Sequence, residues 1–245
     1  MTFDNFSIPA EAAAGPGAKA MCRWAAYRGD PLYLEELVSS PAHSLIEQSH
    51  CATRAKTATN GDGFGIAWYG DRPEPGRYRD ILPAWSDCNL KSLARQIRSP
   101  LFLAHVRAAT GGGTRRDNCH PFTHGIWSFM HNGQISGFER LRRPMEAMLD
   151  DELFNARGGT TDSELMFLLA LQFGLREAPV AAMANMVGVV EDLAEKPHRL
   201  DPAAFYRSLF RRQHALCDPL CHRSQRRRRS MLRRLVRAIA WCPSR

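Results

Sequence analysis

The order of its hydrophobic patterns constrains this fold more than any other feature. Strand-like apolar runs come early, at residues 22–27, 64–69, 101–106 and 126–130, and long helical patterns come late, at 165–175 and 178–194. The early runs have strand length and are punctuated by turn residues; the late ones are too long for strands. Strands first and helices afterwards suit an α+β, sheet-layered domain better than a regular βαβ series. Two shorter helices are expected, over 31–38 with Pro31 near its start and over 89–97 with Pro100 ending it. The polar stretch 43–59 reads as loop. Asn60-Gly61-Asp62-Gly63 is a tight-turn signal ahead of the second strand, and residues 71–76 make another turn.

The first chemical signal is Met21-Cys22. A cysteine at a chain N-terminus carries a thiol and a free α-amino group on one carbon, so a nucleophile and a base share one residue. The amine titrates near about 8, and its unprotonated fraction can take the thiol proton at neutral pH. Inside a chain the same nitrogen is an amide and cannot. Residues 1–21 are small, polar and rich in Ala, Gly and Pro. They lack the basic start and apolar centre of a secretion signal, so they read as a disordered or misassigned leader, and a cytoplasmic location is expected. Seven cysteines in a chain of this length read as free thiols rather than a disulfide framework. No apolar run approaches the roughly 20 residues of a membrane span.

The net charge of +8 is unevenly distributed. Residues 196–245 hold 14 basic and 2 acidic side chains, whereas the other 195 residues hold 19 and 23. A basic arm of this kind suits nucleic acid or an anionic surface. The run 226–229 and the stretch 205–212 resemble no core strand, and nothing after Ala194 reads as one. A frame-shifted end of the gene is therefore preferred for the tail, which argues against a nucleic-acid partner.

Four more motifs accompany Met21-Cys22: Asn60-Gly61-Asp62-Gly63-Phe64-Gly65, His105-Val106-Arg107-Ala108-Ala109-Thr110, His131-Asn132-Gly133-Gln134 and Thr161-Asp162-Ser163-Glu164. Each has an ordinary explanation. A cysteine is more often a small buried hydrophobe than a nucleophile. Asn-Gly is most often a hairpin turn. An arginine after an apolar strand is usually a surface charge, and an acid at a helix start complements the macrodipole. His105, His120, His124 and His131 could suggest a metal, but their spacing fits no helical ligand pair. Together, however, the motifs contain what an amide-cleaving cysteine needs. Asn132 and the Gly133 N–H could form an oxyanion hole. Arg107 could grip a carboxylate in bidentate fashion, and Asp162 could hold an α-ammonium.

In this order the five motifs resemble the class II glutamine amidotransferases, the N-terminal nucleophile type. The likeness is to the small branch of YafJ-like proteins and ergothioneine-pathway γ-glutamyl hydrolases, and it runs from Met21 to about Ala194. It implies a four-layer αββα sandwich of two antiparallel sheets over residues 22–195, incomplete at its C-terminal end. It implies Cys22 as nucleophile, Asn132 and Gly133 as the oxyanion pair, Arg107 and Asp162 as substrate ligands, and Thr110 and His131 on the substrate side. The implied reaction releases ammonia and glutamate from glutamine or another γ-glutamyl amide through a thioester, with no metal or cofactor. A separate ammonia-accepting synthase would be the partner, because no synthase domain accompanies the motifs. The alternative is a catalytically silent domain that binds γ-glutamyl compounds or a partner, with Cys22 internal.

Overall fold

In the computed structural model, residues 22–42, 44–50, 61–108, 113–195 and 238–241 are described. Two antiparallel sheets are each covered by helices. The first has the order β1-β4-β2-β3, with β1 Arg23–Tyr33, β2 Phe64–Tyr69, β3 Gly76–Asp80 and β4 Arg98–Val106. The second has the order β5-β6-β7, with β5 Phe122–His124, β6 Trp127–His131 and β7 Ala238–Trp241.

Strand β4 lies between β1 and β2, which explains its unbroken apolar run. Buried on both faces, it gains nothing from alternating polar residues. Phe64, Ile66, Phe102, Ala104 and Val106 point to one side of the first sheet. There they pack on α1 (Glu35–Val38), α2 (Leu45–His50) and α3 (Cys88–Gln96), through Leu34, Val38, Ile46, Leu90 and Ala94. The second sheet packs Phe122, Trp127 and Phe129 on α4 (Phe138–Glu146), α5 (Asp151–Asn155), α6 (Asp162–Gln172) and α7 (Pro179–Glu195). Phe129 stacks on Phe167 with ring centroids 5.3 Å apart. The sheets are tied together where the buried Tyr69 hydroxyl of β2 bonds Ser128 Oγ of β6 at 2.9 Å.

The structure departs from the sequence reading in four places. Residues 31–33 extend β1 instead of starting a helix; α1 is a single turn after them. Pro31 is tolerated because β1 is an edge strand and its register with β4 is irregular between Arg28 and Leu32. Pro100 does not stop a helix, since α3 has already ended at Gln96; it lies in the outer end of β4. Part of the expected 43–59 loop is α2, whose Leu45, Ile46 and Ser49 are buried. Finally, residues 238–241 form β7, paired with β6 from Ser128↔Trp241 to His131↔Ala238, where no strand was expected after Ala194. Residues 205–212 and 226–229 lie outside the described residues, as do 1–21.

Candidate active site

Strand register delivers the cysteine. Arg23 pairs with Val106, so Cys22 comes to rest beside the residues that follow β4. Its Sγ accepts the Ala108 N–H at 3.3 Å and lies 3.4 Å from Ala108 O. Burial pushes the thiol up from its ordinary range, against the pull of the Ala108 N–H and the Arg107 charge; Asp62 pushes it further up. The resting group is therefore a neutral thiol that requires a base.

Arg107 is buried, 5% exposed. Its N–H bonds Gly63 O at 2.8 Å, and its carbonyl accepts the Asp62 N–H at 3.2 Å. The glycine-rich turn thus clamps the backbone of the arginine, while Nη1 reaches Gly113 O at 3.4 Å. The glycine at position 65 has a steric reason. A Cβ there would lie 2.2 Å from His120 O, so only glycine lets that loop cross β2 so closely.

Asn132 follows β6, and its Nδ2 donates to Cys22 O at 3.0 Å. The expected oxyanion residue and the expected nucleophile are therefore in contact although 110 positions apart. Gly133 is exposed beside it. Asp162 opens α6 behind an N-cap, Thr161 Oγ1, which accepts the Glu164 N–H. Its Oδ2 accepts the Ile135 N–H at 2.6 Å and its Oδ1 the Ser163 N–H at 2.7 Å. The Asp162 carboxylate is thereby tied to the segment that follows Asn132 and Gly133. His131 Nδ1 meets Ser163 Oγ at 2.9 Å. Burial pushes the His131 pKa down, and the Asp162 charge opposes that. Thr110 lies outside the described residues.

Three residues at the site escaped sequence reading. Asp62 has the sequence signature of a turn residue, yet its charge acts on Cys22. Ser163 was read only as part of a capping segment. Asn118, fully buried, accepts the Thr160 N–H at 2.8 Å and donates to Gly113 O at 3.1 Å, which joins the two loops flanking the site. No local pattern marks an amide for that work, since Thr160 is 42 positions away in sequence.

The histidines separate into different roles. His105 and His120 lie with ring centroids 4.5 Å apart, and their buried ring nitrogens have no hydrogen-bond partner among the described residues. Burial pushes His105 down to about 3, and His120 moves well down for the same reason. His124 lies 3.8 Å from Glu152 and contacts Arg176. Among the described residues no cluster of three or more His, Cys, Asp or Glu side chains is arranged to hold a metal ion. No described helix is long and apolar enough to cross a membrane.

A buried arginine, a cysteine and an asparagine-glycine pair meet where two antiparallel sheets join. The family of class II glutamine amidotransferases matches residues 38–219, and the chain belongs to it. The matched span contains Arg107, Asn132, Gly133 and Asp162; Cys22 lies ahead of it. The chain is 42% identical over 160 residues to a probable glutamine amidotransferase of Saccharomyces cerevisiae, covering 62% of this chain and 45% of that one. It is 34% identical to the γ-glutamyl-hercynylcysteine sulfoxide hydrolase of Mycolicibacterium smegmatis, covering 56% and 61%. It is 28% identical to the putative glutamine amidotransferase YafJ of Escherichia coli, covering 63% and 58%. A solved glutamine aminotransferase class-II domain protein from Silicibacter pomeroyi is similar with a TM-score of 0.54 and 42% identity, covering 70% of this chain and 64% of that chain. The chain spans about half the length of the curated relatives it matches.

Proposed function

We propose that this chain hydrolyses glutamine or a related γ-glutamyl amide through a thioester on Cys22. The observation that carries the reading is the meeting of three expected groups: the Cys22 thiol lies on Ala108, next to the buried Arg107, and Asn132 donates to the Cys22 carbonyl. The γ-glutamyl substrate class draws support from the named activity of the Mycolicibacterium smegmatis relative.

The reaction requires cleavage between Met21 and Cys22, which frees the α-amine. The substrate α-carboxylate sits on Arg107, whose planar guanidinium, which also reaches Gly113 O, suits bidentate pairing with a carboxylate. The substrate ammonium sits against Asp162, with Thr110 and His131 on the same side. The amine accepts the thiol proton, directly or through water, and Sγ attacks the carboxamide carbon. The negative charge that develops on oxygen is met by the second Asn132 amide hydrogen and by the Gly133 N–H. The nitrogen leaves as ammonia with a proton from the ammonium of Cys22. Water, deprotonated by the same amine, then cleaves the thioester and releases glutamate. The released ammonia either diffuses away or passes to a separate synthase.

We further read residues 22–195, with β7 added to their second sheet, as the amidotransferase domain, a four-layer αββα sandwich in a cytoplasmic protein. Helices α1–α3 would form one outer layer and α4–α7 the other; the two separate hydrophobic clusters support that layering.

The test is ammonia release from glutamine by protein whose first residue, checked by mass spectrometry, is Cys22. Turnover is expected, with complete loss in Cys22→Ala. Activity that survives Cys22→Ala overturns the mechanism.

A further inference from the structure

The site contains a buried hydroxyl, that of Ser163, which the reaction above does not use. Ser163 Oγ donates to Asp162 Oδ1 at 3.1 Å, and the Ser163 backbone N–H donates to the same oxygen at 2.7 Å. The same hydroxyl lies 2.9 Å from His131 Nδ1. A hydroxyl has one hydrogen. With that hydrogen given to the carboxylate, Ser163 Oγ accepts at the histidine, and a neutral His131 then carries its proton on Nδ1. That leaves Nε2 bare.

Nε2 faces the oxyanion pair. A Cβ added to Gly133 would lie 2.7 Å from Nε2 and 3.0 Å from Cε1, so the glycine backbone sits directly against the ring edge. A ring held by Ser163 cannot swing away from Gly133. On the other side of the serine, Asp162 Oδ2 accepts the Ile135 N–H at 2.6 Å and so pins the end of the same segment. Residues 131 to 135 are thus held at both ends from the first turn of α6.

We propose that Ser163 is a positioning residue: it locks the Nδ1–H tautomer of His131 and so fixes Asn132 and Gly133 relative to the Asp162 carboxylate. The proposal rests on the reading of Asn132–Gly133 as oxyanion donors and of Asp162 as the ammonium ligand. It adds that the two are mechanically one unit. A substrate ammonium drawn to Asp162 then competes for the oxygen that Ser163 holds, and its binding is felt at the oxyanion donors through His131. The serine touches neither substrate nor the reacting atoms, so its effect belongs in turnover more than in affinity.

The test uses the full chain with ¹⁵N-labelled histidine. The His131 ring signals are assigned by their loss in His131→Gln, and the tautomer is read from two-bond proton–nitrogen correlations. The unchanged protein is expected to show Nδ1–H at His131. Ser163→Ala is expected to shift the ring toward Nε2–H and to lower kcat roughly tenfold with KM nearly unchanged. Ser163→Thr, which keeps the hydroxyl, restores both. Should Ser163→Ala fail to fold, Ser163→Cys, a weaker donor, reads the same shift. An Nε2–H tautomer in the unchanged protein overturns the proposal, as does an Ala variant with the original tautomer and kcat. The tautomer needs no turnover. An unchanged protein that is Nδ1–H yet inactive toward γ-glutamyl amides upholds the lock and refutes the hydrolase reading instead.

Discussion

The two sides of the site are held in different ways. On the first sheet, Cys22 and Arg107 are placed by main chain: the Arg23↔Val106 register, the Ala108 N–H and the Gly63 carbonyl. On the second, Asn132 and Asp162 are placed by side chains: Asn132 Nδ2 on Cys22 O, Asp162 on two N–H groups, and Ser163 between Asp162 and His131. Main-chain placement survives most substitutions. Side-chain placement can be dismantled one group at a time, so the second side is where the geometry can be tuned without unfolding the sheet.

The sharpest way to break this contrast is Asn132→Ala. It removes the proposed oxyanion donor and the contact to the Cys22 carbonyl together, so kcat should fall by about 10²–10³ in steady-state ammonia release. A loss below tenfold would place the main-chain groups in sole charge of the oxyanion. The next effect acts on the interior between the sheets. Folded His105 takes a proton only at about 3, whereas the unfolded side chain takes one near 6.5; His120 and His131 are shifted in the same direction. Below about 6.5 the unfolded chain therefore binds more protons. The His105 contribution is fully present well above that value and is lost as pH falls toward 3, by about 1.4 kcal/mol per pH unit, and the other two histidines act in the same direction. Urea midpoints at pH 7.5, 6.5 and 5.5 should decrease in that order, and His105→Gln should flatten the slope. A midpoint independent of pH contradicts the buried, neutral pair. The smallest effect is expected from Thr161→Ala. It deletes the cap on α6 and should cost about 1 kcal/mol in thermal unfolding while leaving the Asp162 contacts to Ile135 and Ser163 in place.

How far the sequence was legible follows from the range of the interactions involved. Strand β2 was readable from residues 64–69 alone, and α6 was readable because Thr161 is a strong N-cap followed by an unbroken apolar run. Helices α4 and α5 and strand β3 escaped notice. The first carries Pro144 in its interior, and the others are only five residues long. Strand β7 is only four residues long and follows a basic stretch in the sequence, so Ala238-Ile239-Ala240-Trp241 carries no strand pattern of its own. At the candidate site, Cys22, Arg107, Asn132 and Asp162 stand out as candidates because each sits in a motif whose chemistry is local. The work of Ser163 and Asn118 could not be read, because it depends on partners 32 and 42 positions away that only the fold brings near.

The bond from Asn132 to the Cys22 carbonyl has a consequence for thermal motion. A site assembled from two sheets loses alignment if one layer shifts against the other. Here a 3.0 Å contact joins the proposed nucleophile's residue on one side to the proposed oxyanion residue on the other. Any shift of the layers must carry both residues along or break that bond, so their spacing is held locally as well as by the sheets.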